Sequence, residues 1–328
     1  MKYRFITILH NLKLESRKNK GIEIFPGARI SNGNEILEET LKTRLLMGTA
    51  GVHSVDEFEG SVYLYIDGEL EDIVAQEEMD EIGVKYTFFF LRQAQQFAVN
   101  LWTLKDNNIY IRDGFLINYT NQLESGRTFK ASLSEVFTYS TGKRDDEDGN
   151  NLLALYSDNE IAEVLHNFSP YQLGDMDEYG GKYPAASHFF KNSGSERMDR
   201  AIYFTMDARR NAALPMKIIS YCTALECLFT TGKTEVNHKI AERVAVLLGN
   251  DAEDKKRLFS LIKKAYDYRS TVIHGSSLKG ENKDLIEISR SLDDVLRLLI
   301  NGKHEIFSKK DKEIDDLFMD LLFRNFNS

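Results

Sequence analysis

Cysteine is scarce in this chain of 328 residues, which has only Cys222 and Cys227. Their spacing fits no zinc signature, and both fall in one expected helix, so they read as reduced core residues. The seven histidines are dispersed and form neither an HExxH nor an HxH cluster. No metal site and no cofactor are expected. No apolar run approaches the roughly 20 residues that span a bilayer, so no membrane partner is expected. The opening stretch, MKYRFITILHNLKLESRKNK, scatters charge through what would have to be the apolar core of a signal peptide. The expectation is a cytoplasmic protein. Positive charge is also in deficit, with 42 Lys+Arg against 51 Asp+Glu, net −9. That balance argues against tight non-specific nucleic-acid binding, and no DNA partner is expected.

What is present is a globular composition, 42% apolar and 28% charged. The length suits two ordinary domains or one large one. Charge divides unevenly: residues 1–195 hold 19 Lys+Arg and 30 Asp+Glu, and residues 196–328 hold 23 and 21. The pattern predicts an α+β domain over 1–168, a linker rich in Gly, Ser, Tyr and Pro over 169–195, and an all-α bundle over 196–328. Strands are expected at Tyr3–Leu9, Ile22–Phe25, Ser61–Asp67, Asn108–Ile111, Gly114–Thr120 and Thr128–Ser132. Asn108 to Tyr119 reads as a hairpin turning at Arg112-Asp113-Gly114. Helices are expected at about 35–47, 84–103 and 158–167.

In the C-terminal part, apolar stripes predict helices over 196–212, from Pro215 to Phe229, and over 234–248. Further stripes cover Asp251 to Gly275, 284–300 and 311–323. Asp251 is an N-cap with Asp254 three residues on, and Gly249 and Gly275 are terminators. Leu258, Ile262, Tyr266, Arg269 and Ile273 share one face. Glu226 sits on the otherwise apolar face of its helix.

Two motifs are set aside. Thr231-Gly232-Lys233-Thr234 resembles the end of a P-loop, but the first glycine position is Cys227 and a helix precedes it. Asp145-Asp146-Glu147-Asp148-Gly149 hints at a calcium loop, but its first ligand position is Arg144 and its twelfth is Leu155.

The chemistry-bearing candidate is an arginine followed by a histidine after four to six intervening residues. A pattern this loose is expected about once by chance here. It occurs at Arg4/His10, Arg269/His274 and Arg297/His304. Context separates them, because Arg269 alone lies on the apolar face of a bundle helix, where a charge is costly unless paired. The two open alternatives are a buried ion pair, with Glu226 as the partner, and a functional site.

The C-terminal region resembles HEPN domains of the Apea-like group. The matching blocks are Ala224-Leu225-Glu226-Cys227-Leu228-Phe229, Ile240-Ala241-Glu242-Arg243-Val244-Ala245, Tyr266-Asp267-Tyr268-Arg269-Ser270 and Ile273-His274-Gly275. The resemblance implies a helical bundle that pairs as a homodimer, and metal-independent cleavage of an RNA substrate to 2′,3′-cyclic phosphate ends. It makes His274 the proton carrier and Arg269 the phosphate-neutralising group. Asp267 and Ser270 would orient the pair, and Glu226 would hold Arg269. It further implies a defence or toxin role, with a protein or phage-derived trigger acting through residues 1–168. Ser276 stands where HEPN toxins paired with nucleotidyltransferase antitoxins carry tyrosine, so that control is not expected. The alternative is a non-catalytic interaction module.

Overall fold

The computed structural model describes residues 1–41, 43–69, 79–123, 126–166, 168–170, 197–277, 282–302 and 305–324. The chain divides into two compact units: Met1–Phe137 with Asp145–Ala185, and Thr138–Arg144 with Ala186–Ser328. From residue 171 onward, the linker expected at 169–195 lies outside the described residues.

The first unit is built on an antiparallel six-stranded sheet in the order β3-β4-β5-β1-β6-β7. Its strands are β1 (Lys2–Ile8), β3 (Ile22–Phe25), β4 (Ala28–Ser31), β5 (Tyr63–Glu69), β6 (Asp113–Tyr119) and β7 (Arg127–Ser132). A separate parallel pair joins β2 (Leu12–Leu14) to β8 (Ala154–Tyr156). Side chains of β1 alternate between two cores, as the period of a strand requires. Phe5 joins the core made by α4 (Met79–Leu104), with Phe90, Ala94 and Phe97. Ile6 and Ile8 join the opposite core, with Leu37 of α1 (Glu35–Leu41) and Leu46 of α2 (Arg44–Ala50). Burial on both faces accounts for the adjacent apolar residues Phe5 and Ile6, which enter opposite cores. The remaining helices of this unit are α3 (Val52–Asp56) and α5 (Asp158–His166).

Two sequence expectations need correction here. The helix expected at 35–47 is broken, because Thr43 caps a second helix: its Oγ1 accepts the Leu46 N–H at 3.3 Å and donates to the Thr40 carbonyl at 2.9 Å. The expected hairpin of Asn108–Ile111 with Gly114–Tyr119 does not form, since β6 already pairs with β1 and β7. Asn107 Oδ1 instead accepts the Ile109 N–H, and Tyr110 makes an isolated bridge with His10. Local Asn bonding has displaced the ladder.

His10 stacks on Tyr110 with ring centroids 4.6 Å apart. Burial, with the Arg112 charge nearby, lowers its pKa from 6.5 to about 4; Glu57 and Asp113 oppose this weakly. The unfolded chain therefore binds the extra proton between those values, and the folded unit loses stability as pH falls from 6.5 towards 4. His10→Phe keeps the stack and is expected to flatten this part of a melting-temperature against pH profile.

The second unit is helical: α6 (Arg197–Arg210), α7 (Leu214–Phe229), α8 (Val236–Leu248), α9 (Ala252–Ile273), α10 (Asn282–Asn301) and α11 (Asp311–Arg324), with a 3-10 turn at Glu305–Ser308. Its core takes Leu225, Leu228 and Phe229 from α7, Ile240 and Val244 from α8, and Leu258 and Ile262 from α9. Leu292 and Leu299 of α10 and Phe318 of α11 complete it. Residues 138–144, read from sequence as part of the N-terminal domain, are stitched into this unit. The Thr138 N–H donates to the Arg209 carbonyl at 2.8 Å, and Ser289 Oγ donates to the Ser140 carbonyl at 2.6 Å. Among the described residues no helix is long and apolar enough to cross a membrane.

Candidate functional site

The three Arg/His pairs, equal in sequence, are unequal in structure. Arg4 is consumed by β-sheet architecture: it grips Asp67 with two bonds of 2.7 and 2.9 Å, and also donates to Glu39 and Thr40. Arg297 is held by Asp293, itself wholly buried and bonded by the Tyr221 hydroxyl at 2.8 Å. Its partner His304 lies outside the described residues.

Arg269 is held loosely. Its Nη2 lies 3.4 Å from Glu226 Oε1, beyond good hydrogen-bond length, and the two side chains are 28% and 26% exposed. Its Nε is buried with no hydrogen-bond partner. The guanidinium sits 5.8 Å from the Tyr266 ring centroid. Tyr266 and Cys222 form the floor: the tyrosine hydroxyl donates to the Cys222 carbonyl at 3.3 Å. Burial raises the tyrosine pKa well above its ordinary value and the Cys222 thiol to about 12, so both stay neutral.

His274 is the C-cap of α9 and is exposed. Its N–H donates to the Ser270 carbonyl at 3.0 Å, and Gly275 and Ser276 donate to Val272 and Thr271. Those two crossed bonds are a Schellman ending, which needs a left-handed residue after the cap. Gly275 supplies it at φ +69°. Nothing lies within 4 Å of a Cβ added there, so the requirement is backbone conformation alone. Gly275→Ala is therefore expected to destabilise the helix end by about 1 kcal/mol, read as a small fall in melting temperature.

On an α-helix, positions 269 and 274 lie about 140° apart. Within one chain Arg269 faces α7, while His274 shares an exposed stripe with Asp267 and Ser270, all within about 60° of one another. Of the supporting residues expected from sequence, Glu226 reaches Arg269. Among the described residues, the side chains of Asp267 and Ser270 hydrogen-bond neither Arg269 nor His274. Ile273, expected on the inner face with Arg269, is 53% exposed, because the stripe outruns the neighbouring helices.

Sequence reasoning missed the wall beside Glu226. A cleft of about 390 Å³ is lined by Arg197, Arg200, Glu226, Cys227 and Thr230. The i, i+3 spacing of Arg197 and Arg200 on α6 was the available signal, but it could not show which helix they face. Among the described residues no three His, Cys, Asp or Glu side chains are grouped to hold a metal ion. Comparison with known proteins finds no matching family model, no matching curated protein and no matching solved structure.

Proposed function

We propose that this chain is a metal-independent endoribonuclease of the Apea-like HEPN type, working as a homodimer through its helical unit. The observation that carries the reading is the state of Arg269. It is a half-buried guanidinium with an unsatisfied Nε and a loose partner, one helical turn from an exposed histidine. By contrast Arg4, which serves only the fold, bonds Asp67 through its Nε at 2.7 Å and Glu39 through its Nη1.

In this reading the ribose 2′-oxygen bonds to phosphorus and the bond to the 5′-oxygen breaks. The 2′-hydroxyl loses a proton, the leaving oxygen gains one, and a 2′,3′-cyclic phosphate remains. His274 carries protons, and Arg269 neutralises charge on the phosphoryl oxygens. The angular separation of the two side chains on α9 favours a composite site in which two copies face each other, with exposed Ile273 covered by the partner. The first unit is proposed as a sensor for a protein or phage-derived trigger, in a cytoplasmic defence or toxin role.

The test is RNA cleavage in EDTA with end-group analysis. Cleavage leaving 2′,3′-cyclic phosphates supports the reading; ends of another kind, or cleavage lost in EDTA, sink it. A second reading, a non-catalytic interaction module, is favoured by the Arg269–Glu226 pair itself.

A further inference from the structure

The cleft beside Glu226 holds one arginine with no structural duty. Arg197 is occupied: its Nη1 donates to the Cys227, Leu228 and Thr230 carbonyls at 3.2, 3.4 and 2.7 Å, closing the C-terminal end of α7, and its Nη2 pairs with Asp311. Such a cation complements the negative end of the helix dipole. Cys227 offers no anion, since burial raises its thiol to about 11. Arg200 differs. Among the described residues its guanidinium makes no hydrogen bond or ion pair, and its Nε is buried without a partner. Thr230 Oγ1, on the same wall, is likewise buried and unpartnered.

Buried polar atoms left without partners are costly. Arg200 and Thr230 both line this opening, and each keeps one such atom beneath its surface. Arg269 Nε, a third, lies across Glu226 from it. An occupant that engages the Arg200 guanidinium must offer acceptors, carry negative charge and fit an open cleft. A phosphate oxygen set meets all three needs, and the arginine fork matches it.

We propose that this cleft binds a phosphodiester of the RNA strand flanking the one that is cut, with Arg200 as the anchoring fork. The proposal rests on the ribonuclease reading. Glu226 lines this cleft and also pairs with Arg269, so the cleft adjoins the arginine of the proposed cleavage site. Its carboxylate also trims the positive charge of the cleft, which suits a singly charged diester over a doubly charged free phosphate. Arg200 is on this account a positioning residue, distinct from the groups that move protons.

The experiment measures binding of the full chain to a fluorescent oligoribonucleotide with every 2′-hydroxyl methylated, which cannot be cut by 2′-attack. Affinity is followed across a salt series. Arg200→Ala is expected to weaken binding about tenfold, the worth of one charge-assisted contact. It should make the logarithmic salt dependence shallower by about 0.7, the value for one phosphate contact on a single strand. Arg200→Lys should keep the salt dependence and lose part of the affinity. Arg257→Ala, at an exposed arginine of α9, should bind like wild type. The proposal is overturned if Arg200→Ala matches Arg257→Ala in both affinity and salt slope. Failure of the wild type to bind, or displacement of the RNA by inorganic phosphate at equal phosphate concentration, also overturns it. Cleavage of unmodified RNA, assayed in parallel, separates the two ideas. Cleavage with Arg200-independent binding removes only the cleft, whereas Arg200-dependent binding without cleavage removes the nuclease and leaves an RNA-binding cleft.

Discussion

His274→Ala is expected to lower RNA cleavage by a factor of about 10²–10⁴, the usual worth of a positioned acid or base, while leaving the melting temperature almost unchanged. The separation follows from what each part of the residue does. Its structural work is done by the backbone N–H, which caps α9 and remains in any non-proline variant. Its φ of −83° and ψ of 7° are open to alanine. The imidazole itself is exposed, and among the described residues it makes no hydrogen bond or ion pair. A rate loss without a stability loss assigns chemistry to the ring; wild-type cleavage by the variant removes His274 from the mechanism. This comparison belongs on the full chain. A fragment starting at residue 196 would lack Thr138–Arg144, and with it the bonds from Thr138 to the Arg209 carbonyl and from Ser289 to the Ser140 carbonyl. Its silence would report damage to the fold.

The second large effect is on stability, and it sets two arginines against each other. Arg243→Met is expected to destabilise the helical unit by about 2–4 kcal/mol. Arg269→Ala should cost about 0–1 kcal/mol, the range of a partly exposed pair. Arg243 is 6% exposed and fully engaged: its Nη1 donates to the Phe229 carbonyl at 2.6 Å, and its Nη2 pairs with Asp315. Its guanidinium also lies 5.1 Å from the Phe318 ring centroid. Removing it strands a buried helix-end carbonyl, while Asp315, 48% exposed, keeps its bond from Thr231 at 2.6 Å. Burial alone would raise the pKa of Asp315, but hydrogen bonds from Thr231 and Arg243 hold it below 3.8. That contribution is therefore complete above the ordinary carboxylate range and is lost as pH falls below it. Thermal unfolding of the two variants decides the role of Arg269. Equal losses would make Arg269 a structural cation and favour the interaction module over the nuclease.

The helices of the C-terminal unit were legible in the amino-acid sequence to within a few residues. A helix closes its hydrogen bonds four residues away, so its signals are local. The stripe Leu258, Ile262, Tyr266 marks the buried face of α9, Asp251 accepts the Asp254 N–H at 2.8 Å, and Gly275 adopts the left-handed turn that ends it. Strand partners are not local. The displaced hairpin at Asn108–Ile111 shows the consequence: β6 sits between β1 and β7, and nothing near residue 108 in the sequence encodes that competition.

The candidate site divides the same way. Sequence alone determined that an arginine on an apolar face stands five positions before a histidine at a helix end, and that Glu226 is inward enough to meet it. Tertiary structure alone decided which cations are free. Arg4 meets Asp67 from 63 positions away, Arg243 meets Asp315 from 72, and Arg197 meets Asp311 from 114, whereas Arg269 has a loose partner and Arg200 none among the described residues. Charge and helical phase are properties of a short segment, but the satisfaction of a buried charge depends on whatever the fold brings to it from elsewhere in the chain.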